Sequence, residues 1–166
     1  DAMSEVGKLL DTPALPVPAT PRRTNGTDIA FDNVSFTYEG AAAPALDGVT
    51  FAAPAASTVA LVGPSGSGKS TAASLVPRFW DVSAGSVRIG GTDVRDMGPA
   101  DLMGQVAFVF QTNQLFAQSL ADNVRAARPD ATDAEVLAAL SAAQCDDIVA
   151  KLPQGINTQL GTGGAY

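Results

Sequence analysis

The sequence predicts an α/β fold, because strand-like and helix-like segments alternate along most of the chain. Two apolar runs, at 57–62 and 106–110, are typical of central strands that are covered on both faces. The first run leads into a glycine-rich segment at 63–71, and a helix is predicted at 71–79. This strand, loop and helix form the centre around which the other elements are placed.

The elements before the loop indicate an antiparallel pair of strands. Residues 29–38 mix apolar and polar side chains in rough alternation, and 46–52 form a second strand after a turn at Asp47-Gly48. Ahead of them, residues 3–10 predict a short amphipathic helix, and the prolines that follow predict a semi-rigid linker. We therefore divide the chain into a lead-in segment at 1–27 and a domain at 28–166.

The elements after the loop are short strands and helices. A strand is predicted at 87–89 and a helix at 99–103. Ser119 and Thr132 are capping residues that begin the next two helices, and a last helix is predicted at 146–151. The domain therefore combines an antiparallel β-subdomain, the loop with its α/β core, and a block of helices.

Composition and charge exclude several classes of function. The 166 residues are 46% hydrophobic with a net charge of −7, which argues for a globular domain and against broad binding to nucleic acid or anionic lipid. The sequence has no histidine, which excludes catalysis by histidine and metal sites that use histidine as a ligand. Cys145 is the one cysteine, and we predict that it is a small buried side chain on a helix. No apolar run approaches the length of a membrane-spanning helix.

Residues 63–71 fit the phosphate-binding pattern G-x-x-x-x-G-K-[ST] at every position. Gly66 and Gly68 allow backbone conformations that are closed to residues with a Cβ, which brings N–H groups close to phosphate oxygens. Lys69 can reach the β- and γ-phosphates of a nucleotide, and the Ser70 hydroxyl can ligate Mg²⁺. The predicted nucleotide-binding residues of this segment are Gly63, Ser65, Gly66, Ser67, Gly68, Lys69, Ser70 and Thr71.

Two further residues have the character of ligand contacts. Tyr38 stands at a strand end and offers a π face to a base. Gln111 follows the apolar run at 106–110, where open α/β sheets place their ligands. With the glycine-rich loop, these motifs make residues 29–166 resemble the nucleotide-binding domain of an exporter-type ABC transporter, a P-loop NTPase.

The resemblance implies a role for each motif. Tyr38 corresponds to the A-loop aromatic that stacks on adenine, and 63–71 corresponds to the Walker A motif. Gln111 corresponds to the Q-loop glutamine, which contacts Mg²⁺ or the attacking water. The implied ligands are ATP and Mg²⁺. Lys69 and Gln111 are the implied catalytic residues, and Ser70 and Gln111 are the implied metal ligands.

The resemblance also implies that the domain is truncated. Residues 122–124 and 152–155 match the family's helical subdomain, and 161–166 resembles the loop before its signature motif. The signature motif, the Walker B acid, the catalytic glutamate and the switch histidine are not found in the sequence. We therefore expect the 166-residue chain to hydrolyse ATP negligibly even when it binds it.

The resemblance further implies partners and a place in the cell. The partners are a transmembrane domain of the same or another chain and a second nucleotide-binding domain, identical or not, with no nucleic acid. The location is the cytoplasmic face of the cell membrane, and the lead-in segment matches the linker from a preceding membrane domain. Segments 78–82, 87–91 and 108–111 resemble members linked to iron–siderophore transport.

Two other functions stay open. A non-catalytic module could bind nucleotide only for stability or signalling. Another P-loop enzyme, such as a small-molecule kinase, would need a substrate lid and a catalytic residue, and the sequence shows neither.

Overall fold

The computed structural model describes residues 14–112 and 115–161 and divides the chain into two units, which are described separately. The first unit ends at Phe108 and the second begins at Val109. The predicted helix at 3–10 and residues 162–166 of the predicted final loop lie outside the described residues. The predicted boundary between residues 27 and 28 stays a prediction.

A four-stranded antiparallel sheet is the frame of the first unit. Its strands are β1 (Ile29–Phe36), β2 (Leu46–Ala53), β3 (Ala84–Ile89) and β4 (Thr92–Asp93), in the spatial order β2-β1-β3-β4. The predicted antiparallel pair of β1 and β2 is therefore confirmed. Strand β1 lies between β2 and β3 and pairs with both.

The pair Asp47-Gly48 was predicted to form a turn before β2, and this prediction is wrong. Both residues lie inside β2, where its register against β1 shifts between the partners of Val34 and Phe36. Gly48 takes a positive φ of 60°, and its N–H donates to the hydroxyl of Ser35 at 2.9 Å. The turn-forming pair thus produces an irregularity within a strand.

Two helices of the first unit contribute to the same core as the sheet. They are α1 (Lys69–Leu75) and α2 (Pro99–Gln105), at the positions predicted from sequence. Helix α1 ends earlier than predicted, because Pro77 has no N–H to continue the helical hydrogen bonds and Arg78 takes a positive φ of 56°. The buried core side chains include Phe31, Val34, Leu75, Val87, Met97 and Leu102.

The two apolar runs that were predicted to be central strands are not strands in the structure. Residues 57–62 and 106–110 lie outside the sheet, and Val62 and Val109 are 92% and 82% exposed. A central strand must exchange backbone hydrogen bonds with neighbours on both sides. The described residues supply no such neighbours to either run, so an apolar pattern alone does not produce a strand here.

The described part of the lead-in segment, 14–27, is hydrogen-bonded to the rest of the first unit. Nη2 of Arg78 donates to the carbonyl oxygen of Pro16 at 2.9 Å, while the same guanidinium pairs with Asp81. The N–H of Arg22 donates to the carbonyl oxygen of Asp96 at 2.8 Å. This stretch of the predicted linker is thus anchored along the unit that carries the glycine-rich loop.

The second unit is helical, with α3 (Leu120–Arg125), α4 (Asp133–Ala142) and α5 (Asp146–Lys151). The hydroxyl of Ser119 accepts from the N–H of Asp122 at 3.0 Å, which confirms the predicted cap. Cys145 is half-buried and precedes α5, so the prediction of a buried helical cysteine is wrong. A small core contains Ala121, Val136, Leu140 and Ile156. Among the described residues, no helix is long and apolar enough to cross a membrane.

The predicted capping box begins α4. The Glu135 carboxylate accepts from the backbone N–H of Thr132 at 2.8 Å and from its hydroxyl at 2.8 Å, and it pairs with Arg128. These hydrogen bonds, the backbone one foremost, lower the pKa of Glu135 from 4.5 to about 2. The carboxylate therefore binds the helix start most strongly when it is ionised.

This depressed pKa gives a pH-dependent prediction. Because the folded-state pKa is the lower one, the stabilisation is present above about pH 4.5 and is lost as the pH falls toward about 2. We expect Glu135→Gln to lower the free energy of unfolding at neutral pH, with the difference from wild type vanishing at the acidic end. Urea unfolding across this pH range measures it, with Asp130→Asn, which changes an exposed carboxylate ahead of α4, as the control. A constant difference at every pH would contradict the prediction.

Candidate functional site

The glycine-rich segment forms a tight loop that leads directly into α1. Gly66 and Gly68 have φ values of 80° and 82°, the left-handed region that glycine was predicted to supply. Gly68 is the N-cap of α1. A Cβ on Gly68 would lie 2.5 Å from the carbonyl oxygen of Ala45, so the loop is in close contact with the residue that precedes β2. Glycine is therefore required at this position for space as well as for conformation.

The ammonium group of Lys69 turns back over the loop. It donates to the carbonyl oxygens of Gly63 at 2.9 Å and Pro64 at 2.6 Å, and to Oγ of Ser67 at 3.2 Å. These neutral acceptors hold a positive charge beside the loop backbone. Phosphate oxygens are stronger, charged acceptors for the same donor. The arrangement fits an anion at this loop.

Ser70 and Thr71, the first two residues after Lys69, have different surroundings. Ser70 is exposed, and its hydroxyl is a hard oxygen ligand of the kind that suits Mg²⁺, with phosphate and water completing the set. The described residues contain no cluster of three or more acidic or cysteine side chains that could hold a metal by itself. Thr71 is buried, and its Oγ1 lies 3.0 Å from the Tyr38 hydroxyl in a hydrogen bond.

The hydrogen bond to Thr71 brings Tyr38 to the loop. The Tyr38 ring also packs edge-on with Phe36, at a centroid distance of 4.8 Å, and with Trp80, at 5.4 Å. Tyr38 remains 37% exposed. The structure thus places the aromatic predicted for base stacking beside the residues predicted for phosphate binding.

Sequence reasoning did not place Trp80 in this group. It follows α1 in the run Arg78-Phe79-Trp80, and a tryptophan after a helix is ordinarily explained by packing on the sheet. The signals in the sequence were an aromatic residue directly after the predicted helix at 71–79 and its place in the segment 78–82. The distance between Trp80 and Tyr38 along the chain gives no indication that their rings meet.

Gln111 lies in the second unit, where its side chain is exposed. The strand that was predicted to present it is not formed, because 106–110 is irregular. Its predicted contacts with Mg²⁺ and the attacking water stay predictions. The structure therefore assembles the loop residues and Tyr38 into one candidate site within the first unit.

Comparison with known proteins identifies the family that the chain resembles. A family model described as ABC transporter matches residues 46–164. The chain is similar to an ATP-binding/permease protein of Bacillus subtilis named YgaD, with 41% identity over 136 residues, 82% of this chain and 23% of that protein. It is also similar to the ATP-dependent lipid A-core flippase of Haemophilus influenzae, with 40% identity over 154 residues, 87% of this chain and 26% of the flippase.

A solved structure gives the same result for the fold. The structure of a bacterial Atm1-family ABC exporter with ATP bound superposes with a TM-score of 0.85 and 38% sequence identity. The alignment covers 98% of this chain and 29% of the exporter chain. The chain spans about a quarter of the length of the curated relatives it matches. The antiparallel sheet, the P-loop and the helices are thus those of a nucleotide-binding domain of this kind.

Proposed function

This chain belongs to the ABC transporter family, and we propose that it supplies the ATP-binding site of an exporter that couples ATP hydrolysis to movement of a substrate across a membrane. One observation carries the proposal. The hydroxyl of Tyr38 is hydrogen-bonded to Thr71 in the P-loop helix, which places a partly exposed aromatic ring beside the phosphate loop. An aromatic surface beside an anion-binding loop suits a nucleotide, because the base can stack on the ring while the phosphates bind the loop.

Each residue then has a distinct task. The loop backbone at 63–68 and the Lys69 ammonium bind phosphate oxygens, and the Ser70 hydroxyl ligates Mg²⁺. When bound, Mg²⁺ neutralises phosphate charge during transfer to water. Tyr38 holds the base by stacking, and Gln111 contacts the metal or the water. Catalysis in such a site is mostly positioning and charge stabilisation, so these residues act by holding their ligands still.

We propose the partners from the same family membership. They are a transmembrane domain, in this chain or another, and a second nucleotide-binding domain, with the site at the cytoplasmic face of the cell membrane. The relatives support an export function through their names, since YgaD is named a multidrug export protein and the solved structure is that of an ABC exporter. None of those named here is described as a siderophore transporter, so the siderophore substrate is not supported and we propose no substrate.

The apolar runs at 57–62 and 106–110 support the proposal that the domain is truncated. Leu61 and Val62 line an apolar cavity of about 310 Å³ together with side chains of β2. Further strands of the same domain would pair with both runs and cover them.

Replacing Tyr38 by alanine tests the assignment of the site. Stacking on an aromatic ring is worth about 1–3 kcal/mol per base, so we expect ATP affinity to fall by about five-fold or more. Isothermal titration with ATP and Mg²⁺ measures the dissociation constant. Phe116→Ala is the matched control, because it removes an exposed aromatic side chain in the second unit. Unchanged affinity in Tyr38→Ala would count against the base-stacking role and favour another P-loop site.

A further inference from the structure

The Tyr38 ring is held at two points by residues at opposite ends of one segment. The hydroxyl of Thr71, in the first turn of α1, forms a hydrogen bond with the Tyr38 hydroxyl at 3.0 Å. Trp80, just beyond the end of α1, contacts its ring edge-on at a centroid distance of 5.4 Å and an interplanar angle of 84°. The segment 71–80, which contains most of α1 and the turn after it, therefore contacts Tyr38 at both of its ends.

We propose that Trp80 is a positioning residue for nucleotide binding, which fixes the Tyr38 ring together with Thr71 and so links the base position to the phosphate loop through α1. The inference rests on the proposed function, because it takes Tyr38 as the residue that stacks on the base. It adds a residue outside the phosphate-binding motif and a physical connection between two parts of the site.

The two rings that pack against Tyr38 differ in burial. Phe36, the other ring against Tyr38, is buried in the core of the first unit. Trp80 is 42% exposed and lies at the surface beside the partly exposed Tyr38. The Trp80 ring also lies near the rings of Phe36, at a centroid distance of 6.1 Å, and Phe79, at 6.3 Å, and its contact with Tyr38, at 5.4 Å, is the shortest of the three. Trp80 therefore bridges the edge of the core and the candidate site.

The backbone that carries Trp80 is itself fixed. Arg78 and Asp81, which flank Phe79 and Trp80, form a two-pronged ion pair, with Nε to Oδ1 at 2.6 Å and Nη2 to Oδ2 at 3.0 Å. The Arg78 side chain is only 8% exposed, so this pair is shielded from water better than a surface pair. This ion pair therefore constrains the short turn from which the indole ring extends.

A fixed tyrosine ring favours binding because less conformational freedom is lost when the base arrives. Edge-on aromatic pairs contribute beyond the area they bury. Loss of the Trp80 ring should therefore weaken base recognition and leave phosphate recognition intact. This split is the signature of a positioning residue, since general destabilisation would affect both kinds of ligand.

The test compares two probes, ATP and inorganic tripolyphosphate, each with Mg²⁺, on the wild-type chain and on Trp80→Ala. We expect the dissociation constant for ATP to rise about two- to ten-fold, and that for tripolyphosphate to change by less than about two-fold. Trp80→Phe keeps an aromatic ring and should restore most of the ATP affinity. Met103→Ala, which trims an exposed side chain on α2, is the matched control and should change neither value.

Several results would overturn the inference. These are an equal loss for both probes, no loss for ATP, or a Trp80→Phe variant as weak as Trp80→Ala. If the wild-type chain binds tripolyphosphate but shows no preference for ATP, the proposed function of Tyr38 fails first. If wild type prefers ATP and Trp80→Ala keeps that preference, only the role of Trp80 fails.

A second measurement needs no substitution of Trp80. Trp80 is the single tryptophan of the chain, so tryptophan fluorescence reports on the surroundings of this residue. We expect ATP to change the tryptophan emission of the wild-type chain and tripolyphosphate to leave it unchanged. The Tyr38→Phe variant lacks the hydrogen bond to Thr71, so its emission should respond differently to ATP. The same emission with both probes would contradict contact between Trp80 and the base-binding ring.

Discussion

We expect the Lys69→Ala variant to lose at least about a hundredfold in affinity for ATP with Mg²⁺. Hydrogen bonds to charged groups contribute about 1.5–3 kcal/mol each, and the ammonium is proposed to contact two phosphates. In the structure it already spans the loop, with bonds to Gly63, Pro64 and Ser67. Removing it therefore takes away both the positive charge and the group that draws the loop together.

The control for Lys69→Ala is Lys151→Ala, which removes the same charge from α5, where the lysine is exposed and pairs with Asp147 at 3.6 Å. Titration calorimetry of the three proteins gives the affinities, and a phosphate-release assay on the same samples gives turnover. We expect phosphate release at background in all three, because the chain lacks the family's catalytic carboxylates. An equal effect of both substitutions would reduce Lys69 to a nonspecific charge.

The glycine-rich loop and the helix starts could be predicted from sequence because their structure is determined locally. Gly66 and Gly68 take the left-handed backbone that the motif requires. Ser119 and Thr132 cap the helices that they precede, since a hydroxyl can satisfy the exposed N–H groups of the first turn without help from distant residues. A prediction from such a signal depends only on a few residues that are neighbours in sequence.

The central strands predicted at 57–62 and 106–110 are not formed in the structure, because a strand depends on its partners. The run at 106–110 has the apolar character of a buried strand, yet Val109 is 82% exposed and the segment is irregular. Backbone hydrogen bonds in a sheet join residues that are far apart in sequence, and the apolar pattern does not say which they are. The predicted position of Gln111 at a strand end depends on this strand, so the structure does not show Gln111 at a strand end.

The grouping of Tyr38, Thr71 and Trp80 illustrates the same limit on the candidate site. The motif identified Thr71 and the strand end identified Tyr38, but neither pattern contains the hydrogen bond between them. The sequence features of Trp80, an aromatic residue after the predicted helix and a place in the segment 78–82, give no indication of its contact with Tyr38. Side chains that act through other side chains become visible only when the fold is known.

We expect Gly68→Ala to destabilise the first unit much more than Gly66→Ala. Both glycines have a φ near 80°, so alanine at either position carries the penalty of a left-handed backbone, about 1–2 kcal/mol. At Gly68 the new Cβ would also lie 2.5 Å from the carbonyl oxygen of Ala45 and 2.6 Å from Cδ2 of Leu46. Such overpacking adds about 1–3 kcal/mol.

Gly66→Ala is the matched control, because a Cβ there would meet no described atom within 4 Å. Urea unfolding of wild type and both variants gives the free energies, and we expect Gly68→Ala to lose about 2–5 kcal/mol in total. The carbonyl oxygen of Ala45 belongs to the backbone and cannot swing aside as a flexible side chain could, so relief requires the loop to move away from β2. The same movement displaces Lys69, and ATP binding should therefore fall together with stability. Equal losses in the two variants would show that conformation alone, and not the close approach to β2, requires glycine at position 68.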